Sequence, residues 1–423
     1  MADINEVKSS RRVHLIVFST YLFAFSNQAA LSWSSPVLPQ LRLHDVELNP
    51  LGQRITKEEE IWLASMFTIG NIMGLLPYGY LCYKLGRKYT LTSLGVLHLI
   101  GFTLYLSKNL TCFYVGRFLN GVAYGAAFFL FPMYIVEISR DSDRGTLIVS
   151  REIFSSCGSL FSYIAGGYLS VFWFNFVLCI FPILFLISFT ILATESPYFL
   201  IIKENFVVAK KVYVELTSSN DMNAEEDVDE IRRAIEMSQT NNITETFEYK
   251  PAQKAAILVC FICIFQQLTG YMPFAVFTES ILKKTHNVDP KNNSILIGIM
   301  FLTGSVLSTV FIDIIGRKLL LFISLTGIII IEIIFSLYYF FFESFSYLPV
   351  ICLLLFFLFF NLGVAVFPQL ICAEIVPVGI KFKVFCAGGI LGYVTAFLLT
   401  KTFLGMNAFI GIGWNILGLL FLL

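Results

Sequence analysis

Twelve runs of predominantly apolar residues recur along this chain, near 13–33, 61–83, 90–107, 113–136, 148–170, 173–193, 252–280, 294–315, 319–342, 348–372, 384–404 and 407–423. About 20 such residues, wound as a helix, cross the hydrocarbon layer of a bilayer. The pattern therefore predicts an all-α membrane protein with six spans on each side of one polar stretch, 195–251. Composition agrees. Only 14% of the residues are charged, against about 25% in soluble domains, and the formal net charge of zero offers no field for nucleic acid.

Lysine and arginine set the orientation. With the N-terminus inside, twenty basic residues fall in inner segments and eight in outer ones, with Arg117 within a span. Both termini are expected in the cytoplasm, and the first run, although it follows Arg11 and Arg12, is read as a retained span rather than a signal peptide. Nine cysteines lie mostly within apolar runs, so Cys260 and Cys263 read as packing residues, neither redox nor zinc. The sequons at Asn109 and Asn292 fall outside and that at Asn242 inside, so a glycan on Asn242 would overturn this topology.

The two halves resemble one another. "LGRKYTL" at 85–91 returns as "IGRKLLL" at 315–321, each after the second span of its half. Duplicated six-span halves, here 1–194 and 252–423, place a substrate site between them near mid-membrane. The joining segment carries "AEEDVDEIRRAIEMSQ", whose alternating charges suit a solvated helix.

Further motifs identify a resemblance. "WSSPVLPQL" (33–41), "GRFLNGVAYG" (116–125), "PMYIVEIS" (132–139), "ESPYFL" (195–200), "QQLTG" (266–270), "DIIGRK" (313–318), "AEIVP" (373–377) and "TKTF" (400–403) occur in the order found in sugar porters. The chain resembles the major facilitator superfamily, and within it the insect trehalose and hexose transporter-like branch. That resemblance implies two pseudo-symmetric six-helix bundles that rock about a central cavity. It also implies an inner gate of ion pairs, formed by Arg87, Lys88, Arg117, Glu137, Arg144 and Glu195 with Asp313, Arg317, Glu374 and Lys381. The family's acid in the first-half loop is Tyr83 here, and its second-half Arg-Gly is Lys381-Phe382.

Gln266 and Gln267 are two amides within an oily run, and amides suit hydroxyls because both donate and accept. The resemblance places them at a sugar. Adjacent helical residues point about 100° apart, so one is expected to face the cavity while the other holds packing. Gly270 and Pro273 should break their helix. The rest of the expected pocket departs from the family: its sugar-binding asparagines are Met272 and Phe301, its span-10 tryptophan is Gln369, and its span-11 Asn-Trp pair is Gly392-Tyr393. Phe360 and Tyr393 match positions along the sugar's route, with Asn361 beside them. Glu152 replaces a pocket glutamine, and a carboxylate within a span is by default a functional candidate. Glu332 and His98 receive no role, and glycine pairs Gly70/Gly74 and Gly121/Gly125 suit close helix approach. The last run is short for a span.

The reading is a facilitative sugar carrier of the cell membrane, for trehalose or a hexose, acting as a monomer within the lipid bilayer. Its alternatives are a proton-coupled symporter using Glu152, and a non-transporting sugar sensor, which the short tails disfavour. No nucleophile–base set, metal-ligand cluster or phosphate loop points to an enzyme, and no cofactor is expected.

Overall fold

The computed structural model describes residues 10–43, 49–217, 221–240, 250–282, 290–341, 347–376 and 378–409. Eleven of the twelve expected spans are helical there; all of the twelfth beyond Phe409 lies outside the described residues, as does Asn242. In the first half, span 1 is α1 (Arg11–Ser32) with α2 (Ser34–Leu41). Spans 2 to 5 are α3 (Lys57–Leu85), α4 (Arg87–Leu104), α5 (Leu110–Ile138) and α6 (Asp141–Tyr168), and span 6 is α7 (Val171–Leu178) with α8 (Ile180–Leu192). The polar segment folds into α9 (Pro197–Ile202), α10 (Phe206–Thr217) and α11 (Asp221–Thr240). In the second half, span 7 is α12 (Lys250–Leu268) with α13 (Tyr271–Leu282), spans 8 and 9 are α14 (Pro290–Ile315) and α15 (Arg317–Phe341), span 10 is α16 (Leu348–Phe359) with α17 (Phe367–Ile375), and span 11 is α18 (Val378–Phe409). Nine spans have the length and mean hydropathy to cross a membrane among the described residues.

Each broken span has a local cause. Pro36, Pro182 and Pro273 lack the N–H that would bond the carbonyl four residues back, and the interruptions fall at Trp33, Cys179 and Gly270. In span 10 a π turn, Phe360–Val364, precedes Pro368. Its Val364 N–H donates to Ser324 Oγ at 3.2 Å, and Ser324 Oγ donates to the Phe359 carbonyl at 2.6 Å.

The repeated Gly-Arg-Lys loops share a backbone geometry. Gly86 and Gly316 join spans 2 to 3 and 8 to 9 with φ of 96° and 86°, a region that a side chain disfavours. Hydrophobic driving force between helices is weak in lipid, so backbones must approach closely. The α3–α5 pair does so: a Cβ added at Gly121 would lie 2.1 Å from the Phe67 carbonyl oxygen.

The halves meet where α3 packs on α18 and α6 on α14. At the end far from α9–α11, α2 also packs on α13. At the near end the connector is tied to the first half: Arg12 pairs with Glu215 at 2.6 Å, and the Ser10 N–H donates to the Leu216 carbonyl. Lys210–Glu225 and Tyr213–Asp227 bonds hold α10 to α11.

Candidate functional site

A cavity of about 60 Å³ lies between the halves, lined from α1, α5 and α6 on one side and α12, α13, α14, α18 and the π turn on the other. Gln266, Gln267, Glu152, Met272, Asn361 and Tyr393 all reach it. Gln369 does not line it; this buried residue lies behind the wall, where its Oε1 accepts from Arg151 Nη1 at 3.4 Å.

The two glutamines divide their work. Gln266 Nε2 donates to the carbonyls of Val364 and Ala365 at 3.0 and 3.1 Å. Pro368 would have bonded Val364 in a regular helix, so the Gln266 amide supplies the donor that the proline lacks. Gln267 makes one marginal bond, from Nε2 to Gln266 Oε1 at 3.5 Å, and its own Oε1 is buried with no partner. The Tyr393 hydroxyl is likewise unpartnered. An unpaired polar atom in hydrocarbon costs on the order of several kcal/mol, which a hydroxyl-bearing ligand would relieve.

Glu152 is not a lone acid. Arg151 Nη1 lies 2.6 Å from its Oε1, so the carboxylate already faces a cation. Gln28 and Tyr124, polar residues of spans 1 and 4 that sequence reasoning passed over, also line the cavity. Gln28 Nε2 donates to the Tyr271 hydroxyl at 3.0 Å, and the Tyr124 hydroxyl donates to Gln28 Oε1 at 3.4 Å. The amide pair Asn27-Gln28 within an apolar run was the available signal.

The expected gate residues separate into groups. Arg87 makes a two-pronged pair with Glu137, 2.9 Å on each arm. Glu195 accepts from the backbone N–H groups of Arg87 (2.7 Å), Ser196 (3.0 Å) and Lys88 (3.2 Å). Burial raises the Glu195 carboxyl above its usual range, against the pull of those donors. Lys88 thus contributes its main chain to this cluster, and Arg144 at the start of α6 donates to the Ser139 carbonyl. Arg317 lines a small cleft with Gly145 and Thr146 of the first half. The side chains of Asp313, Glu374 and Lys381 lie outside the described residues.

Arg117 corrects the sequence reading. It sits two turns into α5 and Glu137 near the other end, about 30 Å away at 1.5 Å per residue. Fully buried, it donates to the Ala30 carbonyl at 2.6 Å and lies over Phe67 and Trp33 at 4.4 and 5.2 Å. It braces spans 1, 2 and 4 at the end opposite the connector and has no place in the inner cluster.

Glu332 is buried in α15 with both carboxylate oxygens unpartnered, and His98 is enclosed by Phe23 and Phe102; neither lines the cavity. The cysteines are all free, and no cluster of metal-binding side chains occurs among the described residues.

Comparison with known proteins places this geometry. The model of the family described as "Sugar (and other) transporter" matches residues 26–423. A facilitated trehalose transporter of Bombyx mori is 29% identical over 82% of this chain and 71% of its own. The facilitated glucose transporter member 6 of solute carrier family 2 from Mus musculus is 28% identical over 95% and 84%. Among solved structures, the Escherichia coli xylose transporter XylE in a partially occluded inward-open conformation superposes with a TM-score of 0.77, at 18% identity over 96% of each chain. The proton:xylose symporter XylE bound to 6-bromo-6-deoxy-D-glucose gives 0.79 at 19% identity, over 96% and 93%. The fold is the twelve-helix major facilitator fold, and the chain belongs to the sugar (and other) transporter family.

Proposed function

We propose that this protein carries a sugar, trehalose or a hexose, down its gradient by alternating access, as a monomer in the cell membrane with both termini in the cytoplasm. The observation that carries the reading is the pair of unpartnered polar atoms, Gln267 Oε1 and the Tyr393 hydroxyl, in a cavity between the halves. Gln267 offers an acceptor and Tyr393 either role, which suits a ligand rich in hydroxyls. Rocking about the α3–α18 and α6–α14 seams would expose that cavity to each side in turn. The Arg87–Glu137–Glu195 cluster stiffens the inner end of the first half, so that it moves as a body.

Proton coupling is the second reading, favoured by a carboxylate in the cavity wall and by the likeness to a proton symporter. Arg151 weakens it, because the carboxylate is already engaged in an ion pair at 2.6 Å within the wall and is not a lone acid facing the cavity. Uptake of labelled glucose and trehalose into cells expressing the chain, with and without an inward proton gradient, separates the two. Saturable uptake insensitive to the gradient supports the facilitator. Uptake that follows the gradient and vanishes in Glu152→Gln supports the symporter, and no uptake by correctly localised protein refutes both.

A further inference from the structure

The cavity has a lid-like ceiling of aromatic rings at the end away from the connector. Tyr271 follows directly on the Gly270 break and begins α13, the outer part of span 7. Its ring lies face to face on Phe360, centroids 4.1 Å apart and planes 4° from parallel. Phe301 and Phe357, themselves stacked at 4.6 Å, meet Tyr271 edge-on at 6.2 and 6.4 Å. The phenol is then pinned across the seam by Gln28 of the first half, which Tyr124 orients in turn. A residue held by a ring stack on one side and a cross-half hydrogen bond on the other is fixed in position. It holds this position while the halves are together, and the cross-half bond breaks when they rock apart.

The volume beneath this ceiling is small. The 60 Å³ is the space open to the centres of water molecules. Widening it by a water radius of about 1.4 Å gives about 240 Å³ for a compact shape, room for about eight waters at about 30 Å³ each. One sugar ring is of that order, and a disaccharide is about twice as large. A second ring therefore has to lie either above the ceiling, where Tyr271 and Met272 stand, or beyond the cavity on the side towards the connector. The second course fails for a carrier, because a ligand projecting from the pocket obstructs closure behind it.

We infer that Tyr271 is a specificity-determining residue that limits this carrier to single-ring sugars or polyols and excludes disaccharides. The inference rests on the sugar-carrier reading and narrows it, choosing the hexose over trehalose. Bulk is the operative property: the ring fills the space of a second sugar, while the bond to Gln28 holds the ring there. The free acceptors below, Gln267 Oε1 and the second oxygen of Glu152, remain for the hydroxyls of the one ring that fits.

The test is uptake into proteoliposomes containing the full chain. Labelled glucose and labelled trehalose are measured separately, and excess unlabelled trehalose is tested as a competitor of glucose. Wild-type protein is expected to take up glucose, to carry trehalose at least tenfold more slowly, and to resist competition by trehalose. Tyr271→Ile is expected to raise the trehalose-to-glucose ratio about tenfold. Tyr271→Phe, which retains the ring, should change that ratio less than threefold. An unchanged ratio in Tyr271→Ile, or equal carriage of the two sugars by the wild type, overturns the inference while leaving the carrier intact. Wild-type protein that carries neither sugar overturns the carrier reading and the inference together. If Tyr271→Ile fails to fold, competition by trehalose in the wild type decides the matter alone.

Discussion

Replacing each of the paired glutamines by leucine should give opposite phenotypes. Gln266→Leu removes the donor to two carbonyls, at 3.0 and 3.1 Å, one of which Pro368 leaves unsatisfied by its chemistry. An intramolecular hydrogen bond contributes about 0.5–1.5 kcal/mol net, and a buried acceptor stranded without a donor costs about 1–3 kcal/mol. Interhelical bonds measured within membranes average about 0.6 kcal/mol, so the two together should cost about 1–3 kcal/mol. Gln267→Leu removes one contact at 3.5 Å and relieves an oxygen that has no partner, so stability should change by less than about 0.5 kcal/mol. For the ligand the order reverses. Gln267→Leu should weaken sugar binding tenfold or more, about 1.4 kcal/mol, while folded Gln266→Leu loses less. Thermal unfolding of the detergent-solubilised protein, with and without sugar, reads both effects. Equal destabilisation by the two substitutions would refute the division of labour, as would a normal melting temperature for Gln266→Leu.

The remaining predictions concern the ends of the bundle. Gly316→Ala meets open space and should cost only the positive-φ strain, about 1 kcal/mol, whereas Gly86→Ala also drives a Cβ to 2.4 Å from Glu195 Oε2. Melting temperatures should therefore fall further for Gly86→Ala than for its counterpart, and equal falls would contradict the packing. Arg117→Lys loses the flat guanidinium over Phe67 and Trp33 and should lower stability by about 1–3 kcal/mol. Its KM for glucose should stay within threefold of wild type, and a larger change would return it to the transport machinery. Glu195 has a folded-state pKa raised above 4.5 by burial, so its favourable share of stability is present at low pH and is lost as pH rises through that raised value. Melting temperatures scanned upward from about pH 4.5 should show this loss in the wild type and a flatter profile in Glu195→Gln; identical profiles would refute it.

The spans and the repeat were legible because both depend on local pattern. Run length alone sufficed for the helices, and Gly86 and Gly316 share a positive φ as their matching loops implied. The break between Gly270 and Pro273 was expected, whereas those near Pro36 and Pro182 were not, because Pro77 and Pro132 also lack an N–H and lie within unbroken helices. Arg117 was misplaced because it was grouped by motif and not by depth. Span 4 begins at the outer end on the orientation argued above, and Arg117 stands two turns into it. The cavity was harder to see. Gln266 and Pro368 explain each other, yet they lie about a hundred residues apart and meet only when α12 packs on α17 and the π turn. Gln28, Tyr124 and Tyr271 come from three spans of two halves, each polar group surrounded in sequence by apolar neighbours. Glu152, singled out in the sequence as a carboxylate within a span, lines the cavity, but its meaning depends on Arg151, whose guanidinium lies against it rather than in water.

Counterflow tests the central claim most directly. Proteoliposomes preloaded with unlabelled glucose are diluted into labelled glucose at equal pH on both sides. A carrier whose cavity opens alternately to each face takes up label transiently above its equilibrium level. The account predicts that overshoot for the wild type without any proton gradient, and its loss in Gln267→Leu. Folded wild-type protein that shows no overshoot, or shows one only when a proton gradient is imposed, would contradict it.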